Sequence, residues 1–429
     1  MNWYHYVALV VILSQLLFIV QACKNYRYVL VKYKKKRLWN QLKTVLIVPC
    51  KGLDAAFERN IASFFGQDYD NFLLWFVVGG KEDPAYPALC ELADKLSSRS
   101  KAQDVRIFVA GDVQRASAER AETNDDGPAQ RLCSQKVHNL LYCYERIGDD
   151  IDVLAFADSD ICVRRDWLSH LVWPLRQSKN GVATGYRWFI PKKHNLPSLA
   201  LSAVNAKVVQ LLGNTHFNQV WGGSMAIRTD VFRQLGLDKV WTKALSDDLT
   251  LGVSVKKAGK KVVFVPACLS ASYESISWRG LLEFGRRQFL ITRVTAPRTW
   301  WFGLFSSLYS VLGLWAGAAL TIYAVLTPAV GHLSIIVSVP IAFLLGQLSR
   351  AIMRQRMAKK LFEHEMQLTS PDQRAMSAAS VADIFGAWAW SLLLLFLIVS
   401  SAFGRTLVWR GVRYRLVSPT ETVVIVSRR

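Results

Sequence analysis

Two aspartates separated by one residue, Asp158 and Asp160, follow the apolar segment Val153–Phe156. If that segment is a strand, both carboxylates lie at the carboxyl edge of a sheet, where open α/β sheets bind their ligands. Hard divalent cations prefer oxygen ligands, so the pair could hold Mg²⁺ or Mn²⁺ and link it to a diphosphate. The alternative is that one aspartate caps the turn or helix that follows. The spacing alone leaves both interpretations open.

A second acidic pair, Asp247 and Asp248, follows Ser246 and opens an amphipathic segment. Serine and aspartate at a helix start satisfy free backbone N–H groups, and acidic side chains there suit the helix dipole. A carboxylate that projects from a helix start could equally accept the proton of a substrate hydroxyl. The two roles are compatible for neighbouring aspartates, so the pair predicts both a helix start and a candidate general base.

Two further groups of residues could contact a ligand. Paired glycines before a predicted strand would let the backbone approach a ligand closely, and they belong to the segment Trp221, Gly222 and Gly223. Two arginines on a predicted helix ahead of the C-terminal apolar runs could bind phosphates or lipid headgroups; this segment is Arg286, Arg287 and Gln288.

The elements that must position these residues lie in the middle of the chain, in a domain predicted to span residues 44–298. Short β-branched runs alternate there with amphipathic segments, which predicts an α/β domain with a mostly parallel sheet and helices on both faces. The predicted strands are Val45–Val48, Leu73–Val78, Val105–Val109, Val153–Phe156, Val182–Tyr186, Ser224–Ile227 and Val262–Val265. The predicted helices are Ala55–Phe65, Ala85–Leu96, Ser134–Arg146, Asp166–Arg176, Leu199–Leu212, Asp247–Ala258 and Trp278–Thr292. The polar segment Asp112–Gln130 predicts a mobile surface loop, with a lid over a ligand as one role for it.

Apolar runs flank this domain, and the first predicts a transmembrane anchor over residues 1–23. Tyr6–Cys23 is long enough to cross a bilayer and has aromatic residues before it, as membrane interfaces favour. It lacks the basic start and the small-residue cleavage site of a signal peptide, and Gln21 fits a lipoprotein cleavage box poorly. The basic segment 24–43 contains no acidic residue. It should therefore face the cytosol and contact anionic headgroups.

The C-terminal region predicts two to three further spans over residues 299–403. The apolar runs there are Trp301–Leu326, Leu333–Leu348 and Ile384–Phe403, with a basic amphipathic segment at 349–380. The tail, residues 404–429, carries six arginines and one glutamate. Four full crossings would put this basic tail outside, against the positive-inside rule. We therefore expect one of the three runs to be re-entrant or to lie in the interface.

Composition narrows the class of protein. The net charge is +21 and hydrophobic residues make up 52% of the 429 residues. The basic residues flank the apolar runs, which favours a membrane surface over nucleic acid as the partner. The seven cysteines include no C-x-x-C pair, so the sequence predicts neither a zinc site nor a disulfide scaffold, and it suits a reducing compartment.

Several motifs, taken in order, resemble inverting glycosyltransferases of family 2, and most closely the ceramide glucosyltransferases of family 21. The resemblance extends over nearly the whole chain and rests on Val48–Asp54, Ser63–Tyr69, Glu82–Ala85, Gln135–Leu140, Ala157–Asp160, Ser246–Asp248, Ser272–Ser277 and Trp409–Leu416. It implies a GT-A nucleotide-diphosphosugar transferase domain between N- and C-terminal membrane helices.

The resemblance also implies roles for individual residues. The nucleotide pocket would be lined by Pro49, Lys51 and Asp54. Asp83 would lie near the uracil ring, Lys136 would approach the phosphates, Asp158 would lie beside the metal and the sugar nucleotide, and Asp248 would be the general base. We also expect substrate contacts from Trp221, Gly222, Gly223, Asp247, Arg286, Arg287 and Gln288.

This chain departs from the family pattern at two points. Ceramide glucosyltransferases usually carry glycine where this chain has Asp160, so the complete D-x-D resembles the wider family 2. The family's Q/R-x-x-R-W box corresponds to Phe284–Gln288, which lacks the first polar residue and the tryptophan. The second departure leaves the acceptor contacts, and therefore the acceptor, open.

The leading hypothesis is a multi-pass membrane enzyme with its catalytic domain facing the cytosol. The resemblance implies that it moves a hexose, most often glucose in this family, from a UDP-sugar to a lipid hydroxyl such as that of ceramide, as in sphingolipid metabolism. A processive polysaccharide synthase is an alternative, although such enzymes usually have more crossings and an intact Q-x-x-R-W box. A non-catalytic membrane scaffold is a third hypothesis, and the intact Asp83, Asp158 and Asp248 argue against it.

Overall fold

The computed structural model describes residues 3–35, 37, 41–54, 56–113, 133–327, 333–363 and 368–425. Nearly all of the predicted loop Asp112–Gln130 lies outside these residues. The strands are β1 Thr44–Pro49, β2 Phe72–Val78, β3 Asp104–Val109, β4 Val153–Ala157, β5 Ile161–Cys162, β6 Asn180–Pro191, β7 Ser224–Arg228, β8 Lys261–Glu274, β9 Thr406–Trp409, β10 Val412–Ser418 and β11 Glu421–Ile425.

The helices match most of the sequence-based predictions to within a few residues. They are α1 Trp3–Tyr33, α2 Phe57–Phe65, α3 Ala85–Leu96, α4 Gln135–Tyr144, α5 Trp167–Val172, α6 Leu196–Val209, α7 Thr229–Gln234, α8 Leu237–Trp241, α9 Asp247–Lys257, α10 Trp278–Thr295, α11 Pro297–Val311, α12 Gly317–Leu326, α13 Leu333–Glu363, α14 Ser370–Phe385 and α15 Ala387–Ser400. A π-helical turn, Leu312–Ala316, joins α11 to α12.

The central sheet has the strand order β3-β2-β1-β4-β7-β6-β8-β5. Strands β3, β2, β1 and β4 run parallel, as the sequence predicts. Beyond β4 the sheet is mixed, because β7 lies antiparallel to both β4 and β6. The prediction of an α/β domain is therefore confirmed. The sheet is also mostly parallel, because β6 and β8 pair in parallel and run in the same direction as β1 to β4, whereas β5 and β7 run the opposite way. A strand as short as β7 carries no sequence information about its direction.

Helices cover both faces of the sheet because its central strands are apolar on both sides. In β1, Leu46 and Val48 pack with residues of α2 and α3, and Val45 and Ile47 pack with residues of α4 on the opposite face. All four side chains are fully buried. Burying an aliphatic side chain of this size contributes about 1.5–3 kcal/mol, so the strands that carry the site residues are held rigidly.

Among the described residues, three helices are long and apolar enough to cross a membrane, at Tyr4–Tyr33, Pro297–Leu326 and Leu333–Phe362. Helix α1 therefore continues ten residues past the predicted end of the anchor at Cys23, and its Val29 and Tyr33 pack in one core cluster with Phe264 of β8. Helices α14 and α15 together would make a fourth span, but they meet at an angle of 88°. The bend lies at Gly386, so the third C-terminal apolar run, Ile384–Phe403, is the one that does not form a straight crossing.

The basic tail forms a three-stranded antiparallel sheet, β9 to β11, which the sequence analysis did not predict. One face of this sheet packs on the α/β domain: Leu407, Tyr414 and Leu416 form a core cluster with Leu290 of α10 and with Leu245. The hydroxyl of Tyr414 accepts a hydrogen bond from the backbone N–H of Gln135 at 3.4 Å. The tail and the domain therefore lie on the same side of any bilayer, which requires an even number of crossings between them.

Candidate active site

The loop after β1 and the loop after β2 meet at the carboxyl edge of the sheet. Asp83 accepts hydrogen bonds from the backbone N–H of Gly52 at 2.8 Å and of Ala85 at 2.9 Å. Gly52 has a φ of +69°, a left-handed conformation that glycine adopts at little cost. The structure thus brings together Asp83 and the loop of Pro49, Lys51 and Asp54, as a shared nucleotide pocket requires.

Asp158 and Asp160 follow β4 at the same edge. Between them, the hydroxyl of Ser159 donates a hydrogen bond to Asp54 at 2.9 Å, which fixes the loop after β1 against the D-x-D. Asp160 is held by the short strand β5 that follows it, and its backbone carbonyl accepts a hydrogen bond from Ser272 of β8 at 3.3 Å. The two predicted metal ligands, Asp158 and Asp160, therefore form one cluster with the loop after β1.

Lys136 lies between the two acidic pairs. Its ammonium group is 2.7 Å from Asp158 and 2.9 Å from Asp247. Although burial opposes the charged form, the carboxylates of Asp158, Asp247 and Asp248 raise the pKa of Lys136 above its ordinary value. Burial in turn raises the pKa of Asp247 to about 6 against the opposing charge of Lys136. This lysine is positioned by α4, whose first turn is capped by Ser134.

Asp248 is the more exposed member of the second acidic pair. Asp247 is 4% exposed and ion-paired, whereas Asp248 is half-buried at the start of α9. One carboxylate oxygen of Asp248 accepts from the backbone N–H of Leu249 at 2.7 Å and from the hydroxyl of Ser246. The other accepts from the backbone N–H of Gly222 at 2.9 Å. Donors on both oxygens fix the direction in which this carboxylate points.

The paired glycines bring their backbone close to the acidic pair. A Cβ on Gly222 would lie 2.4 Å from a carboxylate oxygen of Asp247 and 2.8 Å from the ammonium group of Lys136, so a larger residue would have to displace this ion pair. Gly223 is crowded in the same way by the ring of Trp221. The two glycines thus let the backbone lie close to side chains of the site; their approach to a ligand stays a prediction.

The residues at the D-x-D suit a divalent cation. Among the described residues, no group of three or more acidic, histidine or cysteine side chains is placed to hold a metal. One oxygen of Asp160, however, is buried without a hydrogen-bond partner in the described part of the chain. Burial and the charge of Asp158 raise the pKa of Asp160 to about 7. Two neighbouring carboxylates, one of them unsatisfied, fit a cation whose remaining ligands are phosphate oxygens and water.

The three residues of the predicted segment do not all face the site; these residues are Arg286, Arg287 and Gln288. Arg286 donates hydrogen bonds to the backbone carbonyls of Ser400 at 3.1 Å and Phe403 at 3.0 Å, so it joins α10 to the membrane region. Gln288 is exposed. Only Arg287 faces the site: it lies over the ring of Trp409, and burial together with the positive charges of Arg187 and Arg410 lowers its pKa to about 10.

Arg410, at the turn between β9 and β10, is a site residue to which the sequence analysis assigned no role. Its guanidinium group donates to Asp54 at 3.0 Å and to the backbone carbonyl of Lys51 at 3.2 Å. Lys51 in return donates to the backbone carbonyl of Arg410 at 3.0 Å. The available signal was the turn motif Arg410-Gly411 within a segment that resembles the family, because it indicates a hairpin whose tip could reach the pocket.

The backbone of Arg410 is strained. Its φ of +49° makes it the one non-glycine residue with positive φ in the described part of the chain, and a left-handed conformation costs about 1–2 kcal/mol. Trp409 pairs with Val412, so Arg410 and Gly411 are the two central residues of a tight hairpin, where Asn-Gly is the favoured pair. The ion pair with Asp54 is half-exposed and contributes about 0–1 kcal/mol. It therefore does not offset the strain.

Comparison with known proteins identifies the family to which the chain belongs. The profile of glycosyl transferase family 21 matches residues 7–117 and 127–422, and the chain belongs to that family. A mannosyltransferase from Pyrobaculum calidifontis, solved with GDP-Man and Mn2+, is 12% identical with a TM-score of 0.42 and covers 93% of this chain and 97% of its own. The glucosyl-3-phosphoglycerate synthase of Mycobacterium tuberculosis is 15% identical, with a TM-score of 0.33 and coverage of 58% of this chain and 78% of its own.

The family match makes this chain a glycosyltransferase. The residues that carry its site, from the loop after β1 to the hairpin of the tail, all lie within the matched ranges.

Proposed function

We propose that this glycosyltransferase moves a hexose from a UDP-sugar to the hydroxyl group of a membrane lipid, with inversion at the anomeric carbon. The observation that carries the proposal is the single cluster of Asp83, Asp158 and Asp248 with the loop after β1, at the sheet edge next to the membrane helices. A sugar nucleotide bound along this edge would present its anomeric carbon towards α9. A ceramide-like acceptor agrees with the family resemblance.

The acceptor hydroxyl would lose its proton to Asp248 as its oxygen attacks the anomeric carbon. The new carbon–oxygen bond forms as the bond from the anomeric carbon to the β-phosphate oxygen breaks, and the bonding electrons leave with UDP. Attack from the side opposite UDP gives a β-glycoside from an α-linked donor. The bonds that Asp248 accepts from Gly222 and Leu249 hold its carboxylate in place for this transfer.

Asp158 and Asp160 would hold Mg²⁺ or Mn²⁺. When bound, such an ion neutralises charge on the diphosphate and so stabilises the leaving group. Lys136 already places a positive charge beside Asp158, 2.7 Å from its carboxylate, and would add to this stabilisation at the phosphates. Its second partner, Asp247, orients the ammonium group and so contributes indirectly.

The helices around the site support a lipid acceptor. Helix α10 carries Arg287 at the site and leads directly into the apolar helices α11 and α12. A lipid whose chains remain in the bilayer could thus bring its hydroxyl group to the domain's edge. A processive polysaccharide synthase would instead need a channel. Three straight spans and a bent pair in the described residues offer few helices to build one.

The proposal is tested by incubating membranes that contain the protein with labelled UDP-sugars and analysing the extracted lipids by mass spectrometry. We expect one lipid class to gain a single hexose. Label that stays in a high-mass polymer would favour the synthase, and no transfer from any UDP-sugar, with no UDP binding, would favour a scaffold. Membranes with Asp248→Asn protein are the matched control.

The metal assignment predicts the behaviour of Asp160→Asn. We expect this change to remove one anionic ligand and weaken Mn²⁺-dependent UDP binding, so that more Mn²⁺ is needed for the same thermal stabilisation by UDP. In the absence of metal, the variant should be at least as stable as the wild-type protein, because an unsatisfied buried carboxylate is replaced by a neutral group. Thermal unfolding with and without Mn²⁺ measures both effects.

Asp230→Asn, at an exposed helix start, is the control for loss of one acidic group. An Asp160→Asn protein with wild-type Mn²⁺ dependence would show that Asp158 holds the ion alone.

The packing of the tail predicts the topology. The basic segment 24–43 should face the cytosol, and the tail lies on the same side as the domain. A protease added to intact cells should therefore cut a tag placed before Met1 and spare a tag placed after residue 429, until the membrane is permeabilised. Cleavage of the C-terminal tag in intact cells would contradict this topology, and the N-terminal tag is the internal control.

A further inference from the structure

The tip of the β9–β10 hairpin lies against the loop after β1, although Arg410 at the tip is more than 350 residues from Asp54 in sequence. The hydrophobic face beneath it anchors the hairpin, through Leu407, Val412, Tyr414 and Leu416. Reciprocal bonds between Lys51 and Arg410 then fix the tip against the loop after β1. The position of the guanidinium group is therefore set by packing and by two further bonds, and it does not depend on the ion pair with Asp54.

Charged groups of both signs surround Arg410. The carboxylates Asp54, Asp158 and Asp160 raise the pKa of Arg410 although burial opposes them. Two more arginines belong to the same network: the charges of Arg187 and Arg410 lower the pKa of Arg287, and both also counteract the rise in the pKa of Asp160. A metal-bound diphosphate would satisfy both kinds of charge, because its metal ion would lie against the carboxylates and its phosphates against the arginines.

The arginine group has bonding capacity that the protein itself does not use. Arg187 stacks on the rings of Phe189 at 4.8 Å and Phe284 at 5.2 Å. Its Nε is buried with no hydrogen-bond partner in the described ranges. Arg287 lies against Phe284 and Trp409, which hold it through ring contacts. Like charges packed together at a cost, with one buried donor of Arg187 left without a partner in the described ranges, indicate a missing anion.

We infer that Arg410, supplied by the C-terminal hairpin, binds the diphosphate of the sugar nucleotide together with Arg187 and Arg287. In the structure its guanidinium group pairs with Asp54, and on donor binding it would exchange this carboxylate for phosphate oxygens. The strained turn is retained because it points a guanidinium group into the pocket, which the favoured asparagine could not do. This inference rests on the proposed function, since it assumes a nucleoside-diphosphate donor.

The turn itself offers a variant that separates binding from folding. Arg410→Asn removes the guanidinium group and creates the Asn-Gly pair that this hairpin favours, so the sheet should fold at least as well as in the wild-type protein. Arg410→Lys keeps the charge but loses the two-pronged bonding. The control is Arg413→Ala, an exposed arginine on the solvent face of the same hairpin.

The measurement is the affinity of the purified full-length protein for UDP, UMP and uridine in the presence of Mn²⁺. We expect Arg410→Asn to weaken UDP about 10- to 100-fold, as loss of charge-assisted hydrogen bonds does, with a smaller effect on UMP and none on uridine. The affinity of Arg410→Lys for UDP should lie between those of Arg410→Asn and the wild-type protein. The affinity of Arg413→Ala should equal that of the wild-type protein.

Equal losses for all three ligands would show that Arg410 only shapes the pocket, and an unchanged affinity for UDP would show that it does not bind phosphate. Either result overturns the inference while leaving the proposed function intact. If the wild-type protein binds none of the three ligands, the proposed function is itself wrong and the inference fails with it.

Discussion

Asp248→Asn should lose about 10²- to 10⁴-fold in the rate of glycosyl transfer, the range that general-base catalysis contributes. The amide oxygen can still accept from Leu249 and Ser246, so the start of α9 remains capped. The amide nitrogen would face the backbone N–H of Gly222, where one hydrogen bond is lost at a cost of about 1 kcal/mol. Donor affinity should therefore stay close to that of the wild-type protein. Turnover and UDP affinity, measured on the same preparation, check this result.

Ser246→Ala is the matched control for the structural role of this helix start. It removes the serine cap, whose hydroxyl accepts from Leu249 at 3.1 Å, and should cost about 1 kcal/mol of stability. It should lower turnover far less than Asp248→Asn does, because Leu249 and Gly222 still donate to the carboxylate of Asp248. Asp247→Asn is less suitable as a control, because Asp247 is the buried partner of Lys136. A fully active Asp248→Asn enzyme would exclude this residue as the base.

A second large effect is expected on stability, at the buried ion pair between α13 and α14. Arg354 donates to Asp383 through two nitrogens, and their side chains are 3% and 0% exposed. Asp383→Ala would leave a buried, unpaired guanidinium group, and breaking such a pair costs about 3–5 kcal/mol. We expect a clearly lower unfolding midpoint in detergent and a lower yield in membranes.

The double variant Arg354→Met, Asp383→Leu tests the reason for that loss. If the penalty comes from the unpaired charge, an apolar pair of similar volume should recover most of the stability. Gln355 would lose its 2.7 Å hydrogen bond to Asp383, so recovery should stop short of the wild-type value. A double variant as unstable as Asp383→Ala would instead assign the loss to packing.

The sequence predicted the bounds of helices and strands well where the buried residues are the apolar ones and where the ends carry clear signals. Helix α3 begins and ends at the predicted residues because its ends are marked by Pro84 and by a run of serines. Strands β6 and β8 were predicted too short. Their second halves pair with each other through Trp188 and Ala271, but buried serines such as Ser270 and Ser272 interrupt the apolar pattern that the prediction follows.

The sequence predicted the acidic residues of the candidate site and, through the family resemblance, Lys136 as well, but it assigned no role to Arg187 or Arg410. Asp158 and Asp248 stand at element boundaries, which local sequence reveals. Arg187 and Arg410 reach the site through tertiary packing, on a strand interior and on a hairpin more than 350 residues from Asp54. The tail strands do alternate between buried and exposed residues, yet their arginines also fit a membrane-proximal tail, and charge alone could not decide between the two.

The position of the hairpin near the end of the chain determines when, during synthesis, Arg410 can meet the loop after β1. The loop of Lys51 and Asp54 is synthesised early, whereas Arg410 follows every membrane helix and must come back to meet it. If the proposed roles hold, a chain still being threaded into the bilayer would carry Asp248, Asp158 and Asp160 but would lack the arginine that the hairpin supplies to the diphosphate. Sugar transfer would begin only after the last helix has been inserted and the tail has docked, which ties the onset of activity to the completion of membrane assembly.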